Sequence, residues 1–297
     1  MFKYRAISFP ILLALLFYMV AYADKGGIYI YTACAALMIG LAVYELGAMT
    51  RKIGFKNFPV ISGITGAMLF SGFAFMEFSA IIVIAIICIL FLLAIMASWL
   101  FLLLLNNRNN KVVDADKGLV EYSPEKTDYL LSVLGSVGIT VILAIPLLFT
   151  AVTYFRGVFL FLFLALVTKA MDTGGYIFGK LSVVFFGDNH KICPTFSPKK
   201  SWEGTVGGLI FSVGTALLFY KYNPVIGTEI WKYIVCGIVL GLGSFAGDLT
   251  ESAVKRICGV KDSNHIIPGM GGAFDVLDSF IYNGIIFTLL LMVFGDK

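Results

Sequence analysis

The sequence predicts an all-α protein, a polytopic integral membrane helical bundle of about nine transmembrane helices. Three observations predict it. Apolar residues make up 59% of the 297 residues and charged residues only 13%, where a soluble domain carries about 45–50% and about 25%. The mean hydropathy is +0.93. The apolar residues also gather into runs that can cross a hydrocarbon layer about 30 Å thick, for which a helix needs about 20 residues.

In order, the runs are Ile7–Tyr22, Gly27–Ala48, Val60–Met76, Ser79–Leu105, Tyr129–Ala151, Val158–Met171, Gly204–Tyr220, Trp231–Leu249 and Ser279–Phe294. The first follows Lys3 and Arg5 and ends near Ala21-Tyr22-Ala23, the outline of a signal peptide. A retained span fits the charge pattern better. The third and fourth runs are divided only by Glu77 and its neighbours. The sixth is short before Asp172 and can continue as helix inside the protein.

Charge sets the orientation. Cytoplasmic loops of membrane proteins collect Lys and Arg. With these spans, one side receives the N-terminus, residues 51–56, 108–126, 169–200 and 255–261, and with them 17 of the 22 Lys and Arg. The N-terminus and the polar, glycine-rich loops are therefore expected in the cytoplasm, at an inner (cytoplasmic) membrane. A net charge of +4 gives no nucleic-acid footprint. The five cysteines, Cys34, Cys88, Cys193, Cys236 and Cys258, form no C-x-x-C pair and read as small core residues rather than disulfides or zinc ligands. No internal repeat or separate soluble domain is evident, and 106–128 reads as a mixed-charge connector.

Two polar segments interrupt the apolar background. The first contains Lys169-Ala-Met-Asp172-Thr-Gly-Gly-Tyr176, Gly179-Lys180 and Ser197-Pro-Lys199-Lys200-Ser201-Trp-Glu203-Gly204. The second runs from Gly247-Asp248 through Ser252, Lys255-Arg256 and Lys261-Asp262 to Gly269-Met270-Gly271-Gly272, Asp275 and Asp278. A carboxylate beside hydrocarbon is costly unless paired, hydrated or bound to metal. Asp275 and Asp278, three apart, share a helix face, and Asp248 can join them from a neighbouring helix. Together they predict a Mg²⁺ site, alone or with a second cation, because magnesium takes carboxylate and phosphate oxygens. For a single Asp, capping of the last helix is the competing reading.

Lys199, Lys200, Lys255, Arg256 and Lys261 can neutralise phosphate, although part of this basicity is the topological bias itself. Gly271 and Gly272 let the backbone approach a ligand, with N–H groups ahead of a helix for phosphate oxygens. Gly204 and Gly208, like Gly237 and Gly241, have the spacing of close helix packing. His190 and His265 read as polar loop residues, since no Ser-His-Asp or Cys-His arrangement accompanies them.

The second segment resembles the signature of the phosphatidate cytidylyltransferase (CDP-diacylglycerol synthase) family: Ser252, Lys255, Arg256, Lys261, Asp262, Gly271, Gly272, Asp275 and Asp278 stand at matching spacing. The first segment is similar as well, and the likeness covers roughly the last 130 residues in motif terms. Met270 stands where that family usually has His, and Val276 where it often has Arg. The resemblance implies transfer of CMP from CTP to phosphatidate, giving CDP-diacylglycerol and pyrophosphate. It implies CTP, phosphatidate and membrane lipids as partners, with homodimerisation left open. Asp248, Asp275 and Asp278 would hold Mg²⁺, and the Lys and Arg residues would bind phosphate. Ser197, Ser201 and the Gly271 backbone would place phosphate oxygens, with Asp172 and Glu203 as supporting acids. Residues 1–128 then form an N-terminal region of transmembrane helices and loop, and 129–297 the C-terminal catalytic region. Two other readings stand beside this one: another CTP-dependent lipid enzyme, such as a polyprenol kinase or CDP-archaeol synthase, and an ion-coupled transporter.

Overall fold

The computed structural model describes residues 18, 21–22, 26–74, 126–193, 197–264, 266 and 271–294. Most of the expected first span, the fourth span, nearly all of the 106–128 connector, His265 and Met270 lie outside them.

Seven helices carry the described fold: α1 Ile28–Lys52, α2 Pro59–Ala74, α3 Lys126–Arg156, α4 Val158–Phe186, α5 Trp202–Tyr222, α6 Ile230–Ile257 and α7 Ala273–Val293. All but α2 are long and apolar enough to cross a membrane. Among the described residues there are thus six candidate spans. The expected count of about nine differs because two expected spans fall outside these residues and α2 has only 16 residues.

Local chemistry sets the helix ends. Arg51 and Lys52 occupy the last turn of α1, where cations offset the negative end of the helix. The Ser201 hydroxyl caps α5 by accepting the Gly204 N–H at 3.2 Å. Helix α4 continues past Asp172 to Phe186 and stops at Gly187, whose φ of +79° is the left-handed C-terminal cap.

Helix α4 is joined to α5 by a feature the all-α expectation lacks. Strands β1 (Lys191–Cys193) and β2 (Ser197–Ser201) form a small antiparallel hairpin with Lys191 opposite Ser201. Its sequence gives no strand signal: β2 is Ser-Pro-Lys-Lys-Ser, with a proline and no apolar alternation. The Glu203 carboxylate takes the backbone N–H of His190 at 3.1 Å and lies 2.7 Å from its Nδ1, closing the outer end.

The two larger of three apolar clusters among the described residues hold most of the bundle. Tyr31, Phe70, Leu143, Leu147 and Tyr154 unite α1, α2 and α3, with Phe274 of α7 added. Phe163, Tyr233, Leu240 and Phe287 unite α4, α6 and α7. Tyr31 stacks on Tyr154 with centroids 3.9 Å apart. Small residues let the helices approach, as the glycine spacing predicts. A Cβ on Gly208 would lie 2.7 Å from the Met171 carbonyl oxygen, and one on Gly237 would lie 2.6 Å from Val213 Cα. At the far end of α6, Lys232 donates to the Phe294 carbonyl at 3.3 Å and pairs with Glu229 at 3.2 Å, tying α6 to the end of α7.

Candidate active site

The site forms where α4, α6 and α7 meet below the hairpin. Helices α6 and α7 cross at Gly247, where a Cβ would lie 2.6 Å from the Asp278 carbonyl oxygen. Only glycine permits that approach, and it places the next residue, Asp248, against the start of α7. The Ser279 hydroxyl lies 2.8 Å from Asp278 Oδ1 and 3.4 Å from Asp248 Oδ1, linking the two acids.

A third carboxylate comes from α4. Asp172 accepts from Lys169 at 3.2 Å, one turn earlier on the same helix, and from the Ser244 hydroxyl at 3.3 Å. Lys169 also lies 3.9 Å from Asp278 Oδ1, so one ammonium serves two acids. From the hairpin, Lys200 pairs with Asp248 at 3.0 Å, donates to the Phe245 carbonyl at 3.3 Å and sits over the Phe245 ring. Within a low-dielectric bundle these alternating charges offset the cost of burying each carboxylate alone. Asp278 is the most deeply placed, with 4% of its side chain exposed.

A cavity of about 250 Å³ opens beside this network. Its lining includes Asp172, Ser197, Lys199, Lys200, Ser201 and Asp248. The two polar segments of the sequence therefore meet here, with hairpin lysines facing acids of α4 and α6. Lys199 is exposed at the cavity. Ser201 is buried and spends its hydroxyl on the α5 cap.

Other predicted residues are placed elsewhere. Asp275 does not join Asp248 and Asp278. Its Oδ2 accepts the Gly272 N–H at 3.1 Å and its Oδ1 lies 3.4 Å from Lys255, which also pairs with Glu251. It caps α7, the competing reading for a lone Asp in that position. The physical reason is the helix start: Asp275 stands in the first turn, within reach of free N–H groups, and Asp278 lies deeper. Among the described residues, no three His, Cys, Asp or Glu side chains converge as a metal-holding group. The three-acid metal set is thus separated into a linked pair and a capping residue.

The glycine turn also differs from the expected phosphate cradle. Gly271 has φ +102°, a conformation suited to glycine. The N–H groups that follow are already committed: Gly272 to Asp275, and Ala273 and Phe274 to Glu45 at 3.1 and 2.9 Å. Arg256 and Lys261 are exposed and do not line the cavity. Glu203 is occupied by His190 rather than by a site lysine. That ion pair and hydrogen bond hold the exposed His190 above its usual pKa, with Asp188 adding a smaller push.

Sequence reasoning assigned no role to Lys169, Ser279 or Glu45. Lys169 was legible from its three-residue spacing to Asp172. Glu45 was legible from the rule that singled out Asp248: an acid inside an apolar run needs a partner.

Comparison with known proteins places this geometry in context. The chain is 40% identical over 140 residues to the phosphatidate cytidylyltransferase of Staphylococcus saprophyticus, a match covering 46% of this chain and 50% of that protein. It is 41% identical over 128 residues to the enzyme of that name from Haemophilus influenzae, covering 42% and 43%. A third, from Staphylococcus haemolyticus, is 40% identical over 139 residues, covering 46% and 50%. The chain spans about half the length of the curated relatives it matches. The model of the Cytidylyltransferase family, by contrast, matches residues 3–294, and on that match the chain belongs to the Cytidylyltransferase family.

Proposed function

We propose that this protein is a phosphatidate cytidylyltransferase, transferring CMP from CTP to phosphatidate and releasing pyrophosphate. The observation that carries the reading is the cavity itself: Lys199, Lys200, Asp172 and Asp248 line one space of about 250 Å³, at the junction of the two segments that resemble this family. The names of its relatives support the same reaction.

In this reaction a phosphatidate phosphate oxygen attacks the α-phosphorus of CTP. A new P–O bond forms there, the bond to the α–β bridging oxygen breaks, and pyrophosphate leaves with that electron pair. The attacking phosphate is already anionic, so no side-chain nucleophile is needed. The demand is to align two anions and screen their charge. Lys199 and Lys200 are placed to hold phosphate groups entering the cavity, and Ser197 lines the same wall. Lys255 is held by Asp275 and Glu251, while Arg256 and Lys261, exposed at the end of α6, draw anionic substrate toward this face.

The residues fit a magnesium ion. Asp248 and Asp278, joined through Ser279, offer the one or two carboxylates that Mg²⁺ takes alongside substrate phosphates. Asp172 stands close enough to share Lys169 with Asp278. When bound, such an ion would withdraw charge from phosphate oxygens. A second cation has room only if substrate supplies further ligands, since Asp275 is committed to the α7 cap.

The proposal extends to topology: a bundle of about nine spans in the inner membrane, with the hairpin and the Asp248–Asp278 pair on the cytoplasmic side, as the Lys and Arg distribution favours. Purified protein in mixed micelles, given CTP labelled at the α-phosphate and phosphatidate, should place label in lipid and release pyrophosphate in a Mg²⁺-dependent manner. A lipid kinase would instead yield CDP and a phosphorylated alcohol, and a carrier would leave the label in CTP. Either result would sink the transferase reading.

A further inference from the structure

Glu45 is almost completely buried, with 1% of the residue exposed, inside the long apolar helix α1. Its carboxylate answers three donors from a part of the chain more than 200 residues away: the N–H of Ala273 at 3.1 Å, the N–H of Phe274 at 2.9 Å and the Ser263 hydroxyl at 3.0 Å. The two N–H groups are free donors of the first turn of α7, which also has the positive end of its dipole there. An anion from another helix thus caps α7, a task usually done by a residue of the same chain segment.

The glycine turn is shaped around this carboxylate. A Cβ on Gly272 would collide with both the Glu45 carboxylate and the Ser263 hydroxyl. Gly272 is therefore required by what fills its space. Asp278 lies one turn into α7, on the helix whose start Glu45 fixes, and Asp275 caps that same start from within.

We propose that Glu45 is a positioning residue for the candidate active site: it clamps the N-terminus of α7 and the Ser263 turn, and so sets where Asp278 stands against Asp248. The inference rests on the transferase reading for its catalytic consequence, while the clamp itself is testable without it. It also makes the N-terminal helices part of the site, which would otherwise lie wholly within 129–297.

Glu45→Gln keeps the side chain's shape but turns an amide N–H₂ toward donors. Glu45→Ala leaves three donors unanswered and is the variant at risk of not folding, so Glu45→Gln is the primary test. Gly272→Ala, which presses a methyl group onto the clamp, is the second variant, and Ser263→Ala a milder third. Hydrogen–deuterium exchange of peptides covering 263–278 should quicken by about tenfold or more in Glu45→Gln. In the lipid-linked CMP assay, kcat should fall about 10- to 100-fold, the range typical for losing a partner that orients metal-site ligands. KM for CTP should change by less than about threefold, because Lys199 and Lys200 are untouched, and the Mg²⁺ concentration for half-maximal turnover should rise. Gly272→Ala should reproduce this pattern, and Ser263→Ala should show it weakly. Unchanged exchange in Glu45→Gln, or quickened exchange with unchanged kcat and Mg²⁺ dependence, would overturn the proposal. Absence of lipid-linked CMP from the unaltered protein would count against the transferase reading, and exchange would still report on the clamp.

Discussion

The ammonium of Lys200 lies 3.0 Å from the carboxylate of Asp248, joining a two-stranded hairpin to α6, one of the three helices that carry the site's acids. Both residues line the cavity, so Lys200→Ala removes both the charge proposed to hold phosphate and the partner of a half-buried acid. Turnover should fall about hundredfold or more, in line with removing a charge-stabilising group from a sequestered site. Lys200→Arg should rescue little, because a broad planar guanidinium does not reproduce the compact ammonium held between Asp248 and the Phe245 carbonyl. Steady-state kinetics with CTP and phosphatidate varied in turn measure both.

Asp278 and Asp275, three residues apart, should respond differently. Asp278→Asn should reduce Mg²⁺-dependent turnover about 10³-fold with near-normal folding, since the amide keeps the Ser279 contact but loses the charge that Lys169 faces. Asp275→Asn weakens the α7 cap and the Lys255 pair, costing about 0.5–2 kcal/mol of stability and a smaller share of activity. Thermal melts of detergent-solubilised protein beside the lipid assay separate the two. Equal losses in both assays for the two variants would show that they act as one metal set.

Gly247→Ala tests the helix crossing. The added methyl group would have to sit 2.6 Å from the Asp278 carbonyl oxygen, so α6 and α7 must part. Overpacking of this kind costs about 1–3 kcal/mol, and the same displacement separates Asp248 from Asp278. The variant should be less stable and nearly inactive. A folded, fully active Gly247→Ala would show that the acids need not meet.

The sequence carried much of this organisation, and its failures have physical causes. Long apolar runs made the helices visible, and Asp172 and Asp248 were visible because acids beside hydrocarbon stand out. The meeting of the two polar segments followed from charge distribution, which placed them on one face. The hairpin was illegible because Ser-Pro-Lys-Lys-Ser has no apolar alternation, and the Glu203 contact to His190 at its outer end joins residues 13 apart with no motif to mark them. The separation of Asp275 from Asp278 was illegible for another reason. Helical spacing predicts a shared face, whereas free N–H groups at the helix start capture whichever carboxylate is within reach. Glu45 escaped notice because its partners are more than 200 residues distant in sequence.

The His190–Glu203 pair makes stability pH-dependent in a defined direction. Glu203 raises the histidine's pKa in the folded protein above its unfolded value of about 6.5. The folded state therefore holds the proton more tightly. This contribution is complete below the unfolded pKa and fades as pH rises through the folded one. The melting temperature of the unaltered protein minus that of His190→Ala should be largest near pH 5.5 and shrink toward pH 8.5. A difference that grows with pH would show that the pair is not charged as described. The group is fully exposed, so salt should weaken the effect.

Helices α6 and α7 are fastened twice, at the Gly247 crossing with its Ser279 link and at the Lys232–Phe294 bond near the opposite end. Two fixings on one pair forbid sliding and pivoting alike, so the pair behaves as a strut. The hairpin is joined to that strut by the Lys200–Asp248 pair and is closed at its outer end by the exposed His190. Asp248 and Asp278 thereby sit on a braced frame, and a His190 variant can loosen the hairpin's outer end while the two acids stay aligned.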